Sequence, residues 1–366
     1  MKIECVKEKI SKAISQAERV TGKNLSLPIL SCVLLEAEKN NLIVRATNLD
    51  IGLELNIPTK VMEEGKVAVH GAILNNLLNS ITGDSSVIFE TTENNLLKIT
   101  SNKTKTTVKT LPHEDFPSIP RVPEDQPIKI QAGDFVSGLK AVYYSAAVSS
   151  VKPELSSVYI ASDDEHLVFA ATDSFRLTEK KIRFKNKIRD HLLVPFKNVP
   201  EIMRLLGDVS GEVTMFVTKN QISFSHPSIY LTSRVIDGVF PDYRQIIPES
   251  GTTEATMLKQ DLVQALKVAN IFSDKFNQAN IHASPKEKTL EIKTTNSDLG
   301  ESVNKIDAVL TGEDISVNFN HKYITDSFQS IDADSISFSF NGASRPLVIR
   351  GVGDKSFLCL VMPMNR

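Results

Sequence analysis

The strongest constraint on this chain is that it repeats itself three times, in a fixed register. The segments from Val69 to Leu78, from Val194 to Met203 and from Phe319 to Phe328 align without a gap, each offset by 125 residues from the one before. Few letters are identical, but the hydrophobic pattern is kept. A long-period repeat fixes architecture before any motif is read, and it argues against a single core with one catalytic cleft.

Other segments repeat in the same order. Asp134-Phe135-Val136-Ser137-Gly138-Leu139-Lys140-Ala141-Val142 matches Asp261–Ala269, with Lys9–Ile14 as the first counterpart. A Thr-Asn/Asp step recurs at Thr47-Asn48, Thr172-Asp173 and Thr295-Asn296. The ends of the first two copies rhyme, Leu111–Pro117 with Ile236–Tyr243, and the third ends at Val361-Met362-Pro363-Met364. These echoes divide the chain into domains at 1–122, 123–250 and 251–366. The first linker, 117–127, holds four prolines and reads as an extended connector; the second is 248–253. Within the first copy, apolar residues at 6, 10, 13, 14 and 17 have helical spacing, as do Leu74, Leu77, Leu78 and Ile81. Short alternating runs at 41–47, 53–57, 87–90, 96–100 and 106–110 read as strands, with a turn at Asn94-Asn95. The expected fold class is α+β, three domains of two helices each packed on antiparallel sheets.

With 41% apolar and 23% charged residues, the composition is that of an ordinary globular protein. No apolar run reaches membrane-spanning length, and Met1–Lys7 has no apolar core of a signal peptide, so a cytoplasmic protein is expected. Cys5, Cys32 and Cys359 share no metal-ligand spacing and read as reduced, buried thiols. Seven histidines include no HExxH pair, and there is no P-loop, G-x-G-x-x-G or G-x-S-x-G. No metal or cofactor is expected. Asp173 resembles a catalytic carboxylate, but the other two copies carry Asn there, which points to a turn instead. A non-catalytic protein follows; a peptide-binding repeat scaffold is the alternative to a DNA binder.

The net charge of −2 conceals an uneven distribution. Six helices read near 7–20, 71–82, 134–147, 195–206, 259–270 and 320–330 hold ten basic side chains against six acidic ones, leaving −6 elsewhere. Basic helices on an acidic shell suit contact with phosphate on one face alone. The helices lack interleaved aromatics for base stacking and Arg–Asn clusters for base readout, so any DNA contact is with duplex backbone, without sequence preference.

Several strings together resemble the bacterial DNA polymerase III beta subunits, the β sliding clamps, over the full chain. They are Ser26-Leu27-Pro28-Ile29-Leu30, Thr47-Asn48-Leu49-Asp50, Thr110–Pro117, Thr172-Asp173-Ser174-Phe175-Arg176-Leu177, Asp237–Arg244 and Val361–Met364. The resemblance implies a head-to-tail homodimeric ring that encloses double-stranded DNA, with helices lining the hole and sheet outside. It implies partners in the polymerase III alpha subunit, the clamp loader and other proteins bearing a clamp-binding peptide, and no catalysis. Its peptide pocket, between the second and third domains, maps onto Leu155, Thr172, Phe175, Arg176, Leu177, Pro241 and Ile246, and onto Asn320, Tyr323, Met362, Pro363 and Met364. Departures occur at Ser174-Phe175 and at Asn365-Arg366. DNA-facing cations map to loop residues Lys23 and Lys152 and to helix residues Lys12, Lys140, Lys197, Arg204 and Lys267. A chain of three sheet units leaves an open edge at each end, and pairing those edges between two copies closes the ring. The interface candidates are Lys103, Lys105, Thr106 and Val108 on the first edge strand, facing Ile271 and Phe272 on a helix end and Asp298 and Glu301 on a nearby strand.

Overall fold

A computed structural model describes the chain except for residues 23–25, 84, 93, 124–125, 150, 249 and 365–366. Among the described residues there are six α-helices, α1 (Lys7–Val20), α2 (Gly71–Ser80), α3 (Ala132–Val142), α4 (Val199–Gly207), α5 (Lys259–Ile271) and α6 (His321–Ser327). The repeat is carried into three dimensions: the strands preceding α2, α4 and α6 end at His70, Pro195 and Asn320, keeping the 125-residue offset. The middle copy departs after that point. Pro200 lacks an N–H and fits only the first turn of a helix, and a turn through Phe196, Lys197 and Asn198 comes first, closed by Asn198 N–H to Pro195 O at 2.9 Å. Lys197 therefore lies ahead of α4, not on it. Val6, expected on the apolar face of α1, ends the preceding strand and is exposed.

The chain forms two compact units, residues 1–133 with 200–235, and residues 134–199 with 236–366. In the first, thirteen strands form one sheet, in the order Ile128–Gln131, Glu212–Val217, Gln221–His226, Ile229–Arg234, Ile51–Pro58, Asn41–Thr47, Cys32–Glu38, Gly65–His70, Lys105–Leu111, Leu96–Thr100, Ser86–Thr92, Lys2–Val6 and Lys60–Glu63. Helix α1 buries Ile10, Ala13, Ile14 and Ala17 of the stripe its spacing foretold, and Val20 besides. One sheet face carries a charge ladder built on two buried carboxylates, Glu36 and Glu54. Arg45 bridges Glu36 and Glu54, Lys66 reaches Glu36, and Arg121 reaches Glu54. Burial alone would raise the Glu36 carboxyl, but hydrogen bonds from Lys66 and Arg45 hold it at about 2. The proline-rich linker lies on this sheet. Arg121 stacks 4.0 Å from the Tyr230 ring centre, the Tyr230 hydroxyl donates to Pro120 O and accepts from Val122 N–H, and Ile119 packs against Gly52.

The second unit has a nine-stranded and a four-stranded sheet. The larger runs Leu192–Pro195, Ser157–Asp163, His166–Thr172, Arg176–Arg183, Phe357–Val361, Leu347–Gly351, Ser335–Phe340, Thr253–Leu258 and Val309–Gly312; the smaller runs Gly300–Asp307, Thr289–Asn296, Gln278–Ser284 and Ile315–Asn320. Phe135 of α3 meets Phe169 edge-on at 5.5 Å, and Gly138 leaves room for that ring, since a Cβ there would come within 2.3 Å of it. The segment after Ile236 folds over the larger sheet, stacking Phe240 on Tyr159 at 4.9 Å and donating the Tyr243 hydroxyl to buried Glu179 at 2.5 Å. Cys5, Cys32 and Cys359 are free and buried as expected, and burial pushes the Cys359 thiol up to about 12.

Candidate functional site

The three Thr-Asn/Asp steps are three copies of one turn. Asn48 Oδ1 accepts from Asp50 and Ile51 N–H at 3.0 and 2.8 Å; Asp173 Oδ1 accepts from Phe175 and Arg176 N–H at 2.9 and 3.0 Å; Asn296 Oδ1 accepts from Asp298 and Leu299 N–H at 2.9 and 3.2 Å. A short side chain that accepts two successive amides fixes the reversal, and in the first two copies a backbone bond closes it as well, Asn48 N–H to Ile51 O at 3.2 Å and Asp173 N–H to Arg176 O at 3.4 Å. Thr172 completes its turn by donating to Arg176 O at 2.6 Å and accepting from Ser174 N–H at 3.1 Å, and Ser174 sits at φ 77°. The carboxylate of Asp173 is thus a turn former.

Only the second copy follows its turn with a long cation. Arg176 donates Nε to Asp173 Oδ2 at 3.0 Å, Nη1 to Asp326 at 2.6 Å and Nη2 to Tyr144 O at 2.5 Å, and its guanidinium lies 4.5 Å from the Tyr323 ring centre. All these groups belong to the second unit. Beside this network opens a cavity of about 270 Å³. Leu155, Thr172, Arg176, Leu177, Pro241, Ile246 and Met362 line it, as the resemblance implied. So do Lys152, Glu154, Ser174, Asp242, Tyr243 and Leu360, which it did not name. Ser174 was legible in the repeated turn, and Leu360 precedes Met362 by two residues on an alternating strand end. The lining is an apolar floor with charges of both signs on its rim, which suits apolar peptide side chains with a polar backbone between them.

Five other expected pocket residues stand around the cavity and do not line it. Phe175 points to solvent at 63% exposure, and its carbonyl accepts Met362 N–H at 2.8 Å. Tyr323 backs Arg176, and burial raises its phenol, as does nearby Asp173. Asn320 caps α6 by accepting from Lys322 N–H at 3.0 Å, so its oxygen is already engaged. Met364 N–H bonds Asn318 O at 2.8 Å, and Pro363 between them is half-buried.

The cations mapped to DNA stand in different surroundings. Lys140 on α3 and Lys267 on α5 are exposed. Lys12 is exposed but 3.4 Å from Asp208. Arg204 is bound within its unit, donating to Glu201 at 2.5 Å and to Gln16 O at 3.0 Å. Lys152 belongs to the cavity rim, Lys197 precedes α4, and Lys23 lies outside the described residues.

The edge candidates also shift. The strand starts at Lys105, because Ser101 N–H bonds Thr104 O and folds Lys103 into a turn. Residues 105–109, with Thr106 and Val108, pair with Leu96–Thr100, and among the described residues only Thr110 and Leu111 pair on the other side. In the second unit, Gly300–Asp307 is the edge of the four-stranded sheet. Glu301 lies on it, paired with Lys293 at 3.1 Å, while Asp298 sits in the Asn296 turn and not on a strand. Ile271 is exposed at the end of α5, as are Leu299 and Val303, and Phe272 is half-buried.

The chain matches three family models in succession: DNA polymerase III beta subunit N-terminal domain over residues 1–120, central domain over 129–242 and C-terminal domain over 244–365. A beta sliding clamp of a Synechocystis strain is 25% identical, covering 100% of this chain and 99% of the relative, and one from Staphylococcus epidermidis is 24% identical over 93% of each. The DNA polymerase sliding clamp of Bacillus subtilis superposes with a TM-score of 0.94 at 23% identity over 100% of this chain and 99% of that one. The DNA polymerase III subunit beta of Pseudomonas aeruginosa gives 0.94 at 23% over 100% of both. At that identity the structures establish the shared fold, while the three family models span nearly every residue: the chain belongs to the DNA polymerase III beta subunit family.

Proposed function

We propose that this protein is a DNA sliding clamp in which two copies close head to tail around duplex DNA, without sequence preference, and hold the replicative polymerase to it. The family is a non-catalytic accessory factor of the polymerase. The observation that carries the reading is the cavity beside Arg176, an apolar slot built at the one repeated turn that is followed by a cation. Its occupants would be short peptides of the polymerase alpha subunit, the clamp loader and other clamp-binding proteins. The two incompletely paired edges, 105–109 and Gly300–Asp307, support closure into a dimer. Exposed Lys140 and Lys267 supply weak, screened attraction to phosphate, which suits a protein that must slide. No described helix is long and apolar enough to cross a membrane; the working place would be the bacterial cytoplasm, at the nucleoid during replication.

Light scattering in solution and retention on DNA test this reading. A dimer that stays on closed circles after loading and is lost when they are linearised is expected. A protein that is monomeric at all concentrations, or leaves circles and linear DNA equally fast, would sink it.

A further inference from the structure

Outside the cavity and the helices, the second unit carries one strongly cationic segment. Between residues 180 and 189 stand Lys180, Lys181, Arg183, Lys185, Lys187 and Arg189, with no acidic residue among them. From 181 onward the cations take the odd positions. Ile182, Phe184 and Ile188 take even ones; Phe184 and Ile188 are each 6% exposed, whereas Arg183, Lys185, Lys187 and Arg189 are exposed. The apolar residues anchor the segment, and Arg183, Lys185, Lys187 and Arg189 are turned outward; Lys180 is held by Ser356 and Asp354, and half-buried Lys181 lies 3.7 Å from Glu179. Lys181 and Arg183 share one face of strand Arg176–Arg183, about 6.7 Å apart along it. Beside them is a hollow of about 490 Å³ lined by His166, Lys181, Arg183, Asp354, Lys355 and Ser356. Its carboxylate is engaged, since Asp354 accepts from Ser356 N–H at 2.7 Å and Oγ at 2.6 Å and lies 3.8 Å from Lys180. Asp163 is tied to Arg244 at 2.9 Å, which leaves Asp164, Glu165 and Asp190 as the nearby exposed acids. The surplus remains cationic.

We infer that this surface binds the phosphodiester backbone of single-stranded nucleic acid. With Phe184 and Ile188 facing inward, the segment offers no apolar anchor to a bilayer and no apolar groove to an acidic helix. A phosphodiester strand needs only spaced cations. The segment leaves the sheet after Arg183 and bends at 185–186 and 189–190, so its cations follow a curve that a flexible strand can track and a stiff duplex cannot. With no aromatic residue exposed along it, the contact reads charge and not base.

The test is fluorescence anisotropy of a labelled oligothymidylate with the full-length protein across a salt series. Replacing Lys181, Arg183, Lys185 and Lys355 together with Ala should weaken binding about tenfold or more, and lower the slope of log affinity against log salt by roughly two to three, at about 0.7 per lost phosphate contact. The buried residues are untouched, and unchanged thermal unfolding verifies the fold. A Lys140→Ala/Lys267→Ala variant should leave single-strand affinity as it was, and the fourfold variant should still be retained on circular duplex, which keeps this test separate from that of the ring. Unchanged affinity in the fourfold variant, an equal loss in the helix variant, equal binding of a duplex of the same length, or equal displacement by polyglutamate would each overturn the inference.

Discussion

The first and second copies of the repeat build the same turn on the same pair of strands, yet only one opens a cavity. Thr47, Asn48, Ile51, Gly52 and Glu54 correspond to Thr172, Asp173, Arg176, Leu177 and Glu179. The partner strands correspond as well, for Thr232 faces Gly52 as Leu360 faces Leu177. Even the closing bonds agree: Arg234 N–H to Asp50 O and Met362 N–H to Phe175 O are both 2.8 Å. The difference lies in what covers the floor. In the first unit Gly52 leaves a dent, and Ile119 of the linker fills it. In the second, Leu177 raises the floor, the following segment is held back by Tyr243 on Glu179, and the space beside it stays open. One residue's volume, set against the path of the next linker, separates a plugged site from an accessible one.

This comparison can be broken most forcefully at Gly52. A Cβ there would stand 2.7 Å from Ile119 and 3.0 Å from Thr232, so Gly52→Leu should expel the linker at a cost of about 3 kcal/mol, read as a lowered urea midpoint. If the variant is as stable as the parent, Ile119 is no plug. Next in size is Arg176→Ala, which takes the guanidinium donor from Tyr144 O, Asp173 Oδ2 and Asp326. A loss of about 2 kcal/mol is expected, discounted because Asp326 is partly exposed, with weakened binding of a polymerase-derived peptide. Ile51→Ala, at the matching place, should leave peptide binding unchanged. Met362→Ala should weaken the same peptide about tenfold while leaving the first unit's unfolding unaltered; unchanged affinity would remove the cavity from the function. Tyr230→Phe removes one hydroxyl that serves Pro120 and Val122, and about 1 kcal/mol should follow in thermal unfolding.

Acid should separate the units last and most gently. Burial, with Lys322 next, lowers the pKa of His321 in the second unit. The unfolded chain then takes up a proton that the folded one refuses, and stability falls as pH drops below the ordinary histidine value of about 6.5. Glu36 in the first unit is held at about 2, so its contribution is full above the unfolded value of about 4.5 and is lost as pH falls through the folded one. The second unit should lose stability first, and His321→Gln should remove the early part of that loss in a pH series of melts.

Much of this was legible in the letters. The 125-residue register of the letters recurs in the ends of the strands before α2, α4 and α6, because a fixed period leaves little freedom in chain topology. The Asn at two of three copies was enough to read Asp173 as a turn former. What could not be read was the partner of a charge. Arg204 looked like one more cation on a helix, and nothing in the pattern revealed that Gln16 O would hold it across some 190 residues. Lys197 was misplaced because the hydrophobic spacing continues unbroken through Pro195 and Pro200, where only proline geometry delays the helix. The plug was also hidden: Ile119 sits among prolines in a segment with no period, and its role depends on a glycine far upstream.

The pairing of strand Ile51–Pro58 with Ile229–Arg234 also sets a clock. Leu55 meets Ile229, about 170 residues later in the chain. At about 5–20 residues per second, a ribosome would leave that strand's outer edge uncovered for roughly 10 to 30 s. The strand Arg176–Arg183 waits as long for Phe357–Val361. Each newborn copy therefore passes through a period in which a bare edge is offered to neighbouring nascent chains, and the charges of Arg45 and Glu54 are already in place to discourage the wrong partner.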